Sequence, residues 1–256
     1  MTPGEAAALA AAAAAAGAMN AMAGGGTIVT YPTLLFLGRS AIVANATSTV
    51  ALWPGAAASL FGYRREVAAH RAWSKTLFLP SLIGGAIGAV LLLRTPPKTF
   101  EALAPFLVLF ATALFALQGA VSRPRNAPSP DGPVRRRLAA AWLLQLAVAV
   151  YGGYFGAGVG ILMLAVLGFL GLSDIHAANG LKNFFGMCIN GVAALWFILQ
   201  GAVDWSAAIV LTAGAIAGGY AGARFARSIG RDKSRAAVIV IGLAVAVLLF
   251  AERLRP

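Results

Sequence analysis

The chain has 256 residues, of which 60% are apolar and only 11% charged, and its mean hydropathy is +0.82. A soluble domain is nearer ~45–50% apolar and about a quarter charged, so a soluble globular protein is excluded. The net charge is +12, yet nineteen of the twenty Lys and Arg residues sit in short breaks between apolar runs or at their ends; that placement orients membrane loops and argues against a nucleic-acid surface.

The opening residues 1–5 (MTPGE) carry no Lys or Arg ahead of the alanine-rich run 6–16. The positive start of a cleaved signal peptide is missing, so that run is expected to be a retained first helix. A spanning helix needs about 20 largely apolar residues. Breaks at Gly, Pro and charge clusters predict segments near 5–22, 26–37, 41–62, 73–93 and 101–121. After a polar linker come segments near 138–155, 158–172, 175–200, 206–226 and 236–251. The expected fold is therefore an all-α integral membrane protein with about ten hydrophobic segments, five on each side of the linker. Segments 26–37 and 158–172 are too short to cross unaided, and each follows a glycine-rich break: Gly24-Gly25-Gly26 and Gly156-Ala157-Gly158-Val159-Gly160. Spanning and re-entrant arrangements of these two both fit the sequence.

The linker 122–137 holds four prolines and five arginines, so it is expected to be solvated and cytoplasmic. It divides one transport domain into an N-terminal repeat, 1–121, and a C-terminal repeat, 138–256. The basic loops 63–75 and 224–235 are expected on the same side as the linker. The loop 201–205, whose one charge is Asp204, is expected outside together with both termini.

Sliding the chain by 134 positions aligns Ala44-Asn45 with Ala178-Asn179, and Gly84-Gly85 with Gly218-Gly219. One residue of slip brings Leu37-Gly38 onto Leu170-Gly171. The shared order of features (glycine-rich break, short segment, Leu-Gly, Asn-led helix, long helix, small-residue helix) marks a duplicated unit. An odd number of segments per unit inverts the second copy, and loop charges agree. Inverted repeats are the usual construction of secondary transporters; duplication kept for stability alone is the plain alternative. The glycine sets 84/85/88 and 218/219/222 have helix-packing spacing and are read as structural.

An ionisable group at bilayer depth is a functional candidate by default. All eight acidic residues fall in breaks or at segment ends, and Lys182 alone lies well inside a span. A bound anion is the counter-charge this pattern suggests; the alternative is a lysine that snorkels to the interface. Asn179 and Asn183 share its helical face. The repeat partners of the three are Asn45, Ser48 and Thr49, with Thr47 adjacent. Amide and hydroxyl donors suit oxyanions, although such groups also glue helices together. The glycine breaks, Gly24, Gly25 and Gly26 in one half and Gly158 and Gly160 in the other, are expected to present backbone N–H groups to an anion. Asp174 and His176 could couple protons to transport, or could simply cap a helix. Asn20 is a further pore candidate. One cysteine, Cys188, and two histidines, His70 and His176, leave no Cys-based or His-built metal centre, so no metal or cofactor is expected.

The duplicated unit resembles the sulfite exporter TauE/SafE family of membrane permeases. The residues that carry the resemblance are Gly24 to Thr27, Tyr31-Pro32, Leu37-Gly38 and Asn45 to Thr49 in the first half. In the second half they are Gly156 to Gly160, Leu170-Gly171 and Asn179 to Asn183, so nearly the whole chain is covered. The resemblance implies passage, and by its name export, of small sulfur-containing anions such as sulfite, thiosulfate or organosulfonates. The expected location is the bacterial cytoplasmic (inner) membrane. Expected partners are the small anion, a coupling proton or other ion, and the lipid bilayer, with no nucleic acid. A passive anion channel, or a permease for another small metabolite, is the alternative. A membrane-embedded enzyme is disfavoured, since no intramembrane acid, Ser/His pair or metal-ligand cluster is apparent.

Overall fold

The computed structural model describes residues 1–22, 25–121, 134–172, 174–229 and 231–253. Among these the chain forms eleven helices: α1 (Pro3–Met22), α2 (Thr27–Phe36), α3 (Ala41–Gly62), α4 (Arg64–Ala69), α5 (Arg71–Arg94), α6 (Pro97–Val121), α7 (Val134–Tyr154), α8 (Val159–Phe169), α9 (Ile175–Leu199), α10 (Trp205–Ile229) and α11 (Arg231–Arg253). Ten correspond to the ten predicted segments. The eleventh, α4, is a single short amphipathic turn inside the basic loop 63–75. Several helices run past their apolar limits: α6 starts at Pro97, where a proline costs no hydrogen bond, and α7 and α11 start in Arg-rich sequence that favours helix. The greater part of the proposed linker, 122–133, lies outside the described residues.

Three of the helical stretches, Arg71–Arg94, Pro97–Leu117 and His176–Leu199, are long and apolar enough to cross a bilayer by themselves, and shorter apolar helices accompany them. Together with the composition, this makes the chain a multi-pass, all-α membrane protein.

The short helices fold back. Arg39, just after α2, lies 3.9 Å from Glu5 at the start of α1, so α1 begins and α2 ends at the same end of the bundle. Between them, the Gly26 N–H donates to Asn20 Oδ1 at 2.7 Å, bringing the turn against α1. The second copy does the same at the opposite end. Ala141 near the start of α7 shares a core with Leu167 of α8, Leu77 of α5 and Ala178 of α9, with Leu170 and Leu172 packed on it. Each repeat thus opens with a hairpin that enters and leaves at one end.

Packing follows a pseudo-twofold. The first helix of each repeat lies along the fourth long helix of the other, α1 on α10 and α7 on α5. The Asn-led helices α3 and α9 pack on one another, and so do the closing helices α6 and α11. Small residues permit the closest approaches. A Cβ at Gly218 would fall on the Ala14 carbonyl, and one at Gly88 on the Val150 carbonyl. Without a hydrophobic drive between helices in lipid, such tight backbone contact is a main source of association. The predicted packing role therefore holds for Gly84, Gly85, Gly88 and Gly218. Gly219 approaches α1 less closely, with a Cβ there 3.6 Å from the Gly17 carbonyl. The surroundings of Gly222 lie outside the described residues.

Candidate functional site

The two glycine breaks converge. A Cβ at Gly25 would meet the Phe115 ring, and a Cβ at Gly158 would stand 3.4 Å from Leu114 and 3.6 Å from Ala111. Residues 111–115 are little more than one turn of α6, so both breaks lie at nearly one level in the bundle. Their glycines have φ of +94° at Gly25, +79° at Gly156 and +74° at Gly158, a region that L side chains avoid. The chain can turn there because glycine occupies it. Gly24, the first glycine of the first break, lies outside the described residues.

Around the second break stand groups from both repeats. Asn45 of α3 donates from Nδ2 to the Tyr154 carbonyl at 2.9 Å, where α7 ends. That bond crosses from one repeat to the other and satisfies a carbonyl freed by the helix break. Its Oδ1 is buried and makes no hydrogen bond within the protein. The Tyr31 hydroxyl is likewise buried without a protein partner, and the Tyr31 ring meets Phe155 edge-on at 5.5 Å. Tyr151 closes the turn by donating its hydroxyl to the Ala157 carbonyl at 2.6 Å.

Lys182 reaches the same place from α9. A Cβ at Gly160 would stand 3.2 Å from Lys182 Cδ, so the lysine stem lies along the first turn of α8 beside the break. Asn179, Lys182 and Asn183 are half-buried, which leaves them accessible to a small solute. Asn190 extends their stripe. It stands seven residues beyond Asn183 on the same helical face, with its Oδ1 3.7 Å from where a Gly156 Cβ would be. The spacing 179, 182, 183, 186, 190 marks this stripe in the sequence, and Asn190 was the member missed there.

The first-repeat cluster is spent differently. Ser48 Oγ and Thr30 Oγ1 share a hydrogen bond of 2.5 Å, both fully buried. Thr49 Oγ1 donates to the Asn45 carbonyl in its own helix at 3.0 Å. Thr47 Oγ1 accepts from the Asp204 backbone N–H at 3.0 Å and so anchors the α9–α10 loop. Ser48 and Thr47 thus tie α3 to α2 and to the α9–α10 loop, and Thr49 bonds within α3. Asp174 caps α9, its carboxylate accepting from the His176 N–H at 2.9 Å, and both residues are exposed. Asn20 is committed to Gly26.

An ion pair joins two loops at the end of the bundle where α1 begins. Arg39 Nε donates to Asp204 Oδ2 at 3.0 Å, while Arg39 Nη1 holds the Leu37 carbonyl at 2.7 Å. Partial burial pushes the Asp204 carboxyl up, but hydrogen bonds from Ser206, Arg39 and the Ala207 N–H, with the guanidinium charge, outweigh it and hold the group down at about 2. Nothing in the spacing of Arg39 and Asp204, 165 positions apart, advertised this pair.

The family model described as Sulfite exporter TauE/SafE matches residues 9–249. A "Probable membrane transporter protein" of Haemophilus influenzae is 30% identical over 232 residues, covering 87% of this chain and 86% of that one. Similar proteins of Sinorhizobium sp and Escherichia coli, also named probable membrane transporter proteins, are each 25% identical, covering 93% and 90% of this chain and 89% and 84% of their own. No solved structure matches the chain.

Proposed function

The chain belongs to the sulfite exporter TauE/SafE family, a membrane transporter of that type, and we propose that it carries small sulfur-containing anions out across the bacterial cytoplasmic membrane. The substrate class is sulfite, thiosulfate or an organosulfonate. The anion sits between the two glycine breaks, with Lys182 as its charge partner and Asn179, Asn183 and Asn190 as donors along one face of α9. Alternating access follows from the inverted repeats, which exchange roles as the site opens to one side and then the other.

The observation that carries this reading is the convergence of both breaks on one turn of α6, with Lys182 lying against Gly160. Irregular backbone at membrane depth is tolerable when it is buried in protein or lines a cavity. Here it stands beside the aliphatic stem of Lys182 and two buried polar atoms, Asn45 Oδ1 and the Tyr31 hydroxyl, that the protein itself leaves unpartnered. A polar solute is what such a neighbourhood accommodates. Coupling to a proton or another ion completes an active exporter.

The test is counterflow in proteoliposomes with sulfite, thiosulfate, sulfoacetate, sulfate and chloride, for wild type and Lys182→Gln. One sulfur anion should show saturable counterflow in wild type. Lys182→Gln should cut it on the order of 100-fold, from loss of a charge-assisted contact of about 2–3 kcal/mol, while the thermal midpoint without ligand is retained. A wild-type rate in Lys182→Gln would remove the site assignment. Flux without counterflow would replace the carrier with a channel.

A further inference from the structure

At the end of the bundle opposite the Arg39–Asp204 pair, α4 and the start of α5 form an open-sided cavity of about 270 Å³. It is lined by Arg64, Val67, Arg71, Ser74 and Lys75, and by Phe184 from α9. We propose that this cavity is a binding site for the phosphate headgroup of an anionic phospholipid.

Three basic residues border it, and the described ion pairs, Arg39 with Glu5 and Arg39 with Asp204, involve none of them. Glu66, the acid of the same short helix, is turned toward α9: its Cβ lies 3.0 Å from where a Cβ at Gly180 would be. Its Oε2 is buried, whereas Arg64, Arg71 and Lys75 are exposed, so the basic side of this surface is the one open to a ligand. The cavity's neutral donor is already engaged, because the Ser74 hydroxyl faces the Val67 and His70 carbonyls at 3.3 and 3.2 Å. What remains is cationic charge over apolar walls. A free oxyanion has little to gain from the walls, whereas a phospholipid uses both parts.

The apolar side also continues in the right direction. Phe184 stacks on Phe78 at 6.0 Å, and Phe78, Leu79 and Ile83 are exposed along α5. In a multi-pass membrane protein that exposed flank faces acyl chains. A headgroup held by Arg64, Arg71 and Lys75 thus leads its chains down a surface already suited to them. Basic pockets between membrane helices hold anionic headgroups on these same grounds, and long basic side chains reach the interface readily. Phe184 follows Asn183 directly in α9, so the lipid would touch the helix that carries the proposed anion stripe. The lipid site itself does not depend on the transport reading.

The experiment is a thermal-shift titration of the full chain, purified in detergent with phosphatidylcholine present. Phosphatidylglycerol, more phosphatidylcholine and inorganic phosphate are added to wild type, Arg71→Gln/Lys75→Gln and Arg94→Gln/Lys98→Gln. The last variant removes the same charge at the other end of the bundle, from the end of α5 and the start of α6. Phosphatidylglycerol should raise the wild-type midpoint on the order of 5 °C by mass action. The shift should fall by half or more in Arg71→Gln/Lys75→Gln and persist in Arg94→Gln/Lys98→Gln. All four residues are exposed, so the unliganded midpoints should match. Should the first double variant melt early, Arg64→Gln replaces it with the same expectation. An equal phosphatidylglycerol shift in all three proteins, or an equal loss in both variants, would overturn the site in favour of diffuse charge. A shift by inorganic phosphate as large as that by phosphatidylglycerol would overturn the lipid as its occupant.

Discussion

Equivalent positions in the two repeats have been put to different uses. Asn45, Ser48 and Thr49 on α3 correspond to Asn179, Lys182 and Asn183 on α9, and α3 and α9 pack on one another about the pseudo-twofold. In the first repeat most of the cluster is engaged within the protein. Asn45 and Ser48 are buried, Ser48 is tied to Thr30, and Asn45 holds the carbonyl at the other repeat's break. In the second repeat the matching stripe is half-buried, carries a charge and lies against a glycine turn. The geometry occurs twice, and side-chain chemistry makes one copy a set of interhelical hydrogen bonds and leaves the other as the proposed binding face. The scaffold is symmetric; the chemistry is not.

Breaking the symmetric part should have the largest effect. Gly88 and Gly218 are not exact repeat partners, yet each sits on the fourth long helix of its repeat and presses on the first helix of the other. Gly88→Leu and Gly218→Leu should each prevent accumulation of folded protein, because backbone carbonyls occupy the space and cannot yield. Gly55→Ala meets nothing within 4 Å and should leave expression and the thermal midpoint unchanged. Size-exclusion profiles of the three detergent-solubilised variants would read this directly. A monodisperse Gly218→Leu would mean that α1 and α10 tolerate separation, and that the two halves of the scaffold are not equally tight.

The asymmetric part is sharpened by Asn45→Ala against Asn183→Ala. Removing Asn45 leaves the Tyr154 carbonyl buried and unpaired, a cost of about 1–3 kcal/mol, so the midpoint should drop and transport should fall with it. Asn183 is half-buried on the proposed binding face. Its loss should lower counterflow about tenfold while stability changes by less than ~0.5 kcal/mol. Measuring melting and counterflow on both variants separates brace from ligand group. Equal losses of stability would make the two copies alike after all.

How much of this was legible beforehand follows from what each signal is made of. Apolar run length marked all ten segments, the two short ones included, because desolvating the backbone in lipid leaves helix as the one local solution. It did not mark α4, whose six residues are too few and too polar to register as a span. The offset of 134 put Lys182 opposite Ser48, and Lys182 was visible as a lone charge inside a span. Asn190 went unnoticed because its repeat partner is an apolar alanine, Ala56, although the α9 stripe reached it. The hydrogen bonds of Thr47 to the α9–α10 loop and of Ser48 to Thr30 were not legible, since hydroxyls read alike whether they serve a solute or a neighbouring helix. The Arg39–Asp204 pair joins loops far apart in the chain, and only the packing of α2, α3 and α9 brings them together.

That pair supplies the smallest expected effect, and it sharpens the contrast between the two ends of the bundle. Asp204 titrates at about 2 in the folded chain, against an ordinary value of 3.8. A carboxyl lowered on folding stabilises the protein above its unfolded value and ceases to do so as pH falls through the folded one. The difference in midpoint between wild type and Asp204→Asn should therefore be constant from pH 7 to about 5 and shrink as pH falls from about 4 to about 2. Because the pair is partly exposed, its size should stay below ~1 kcal/mol, and added salt should reduce it. Thr47 would still accept from the backbone N–H of residue 204 in the variant, so the loop keeps its anchor on α3 and loses only its charge. A difference that survives undiminished to pH 2 would mean that the Asp204 charge, and with it the ion pair with Arg39, adds nothing to stability, and that the substitution disturbs the loop in some other way.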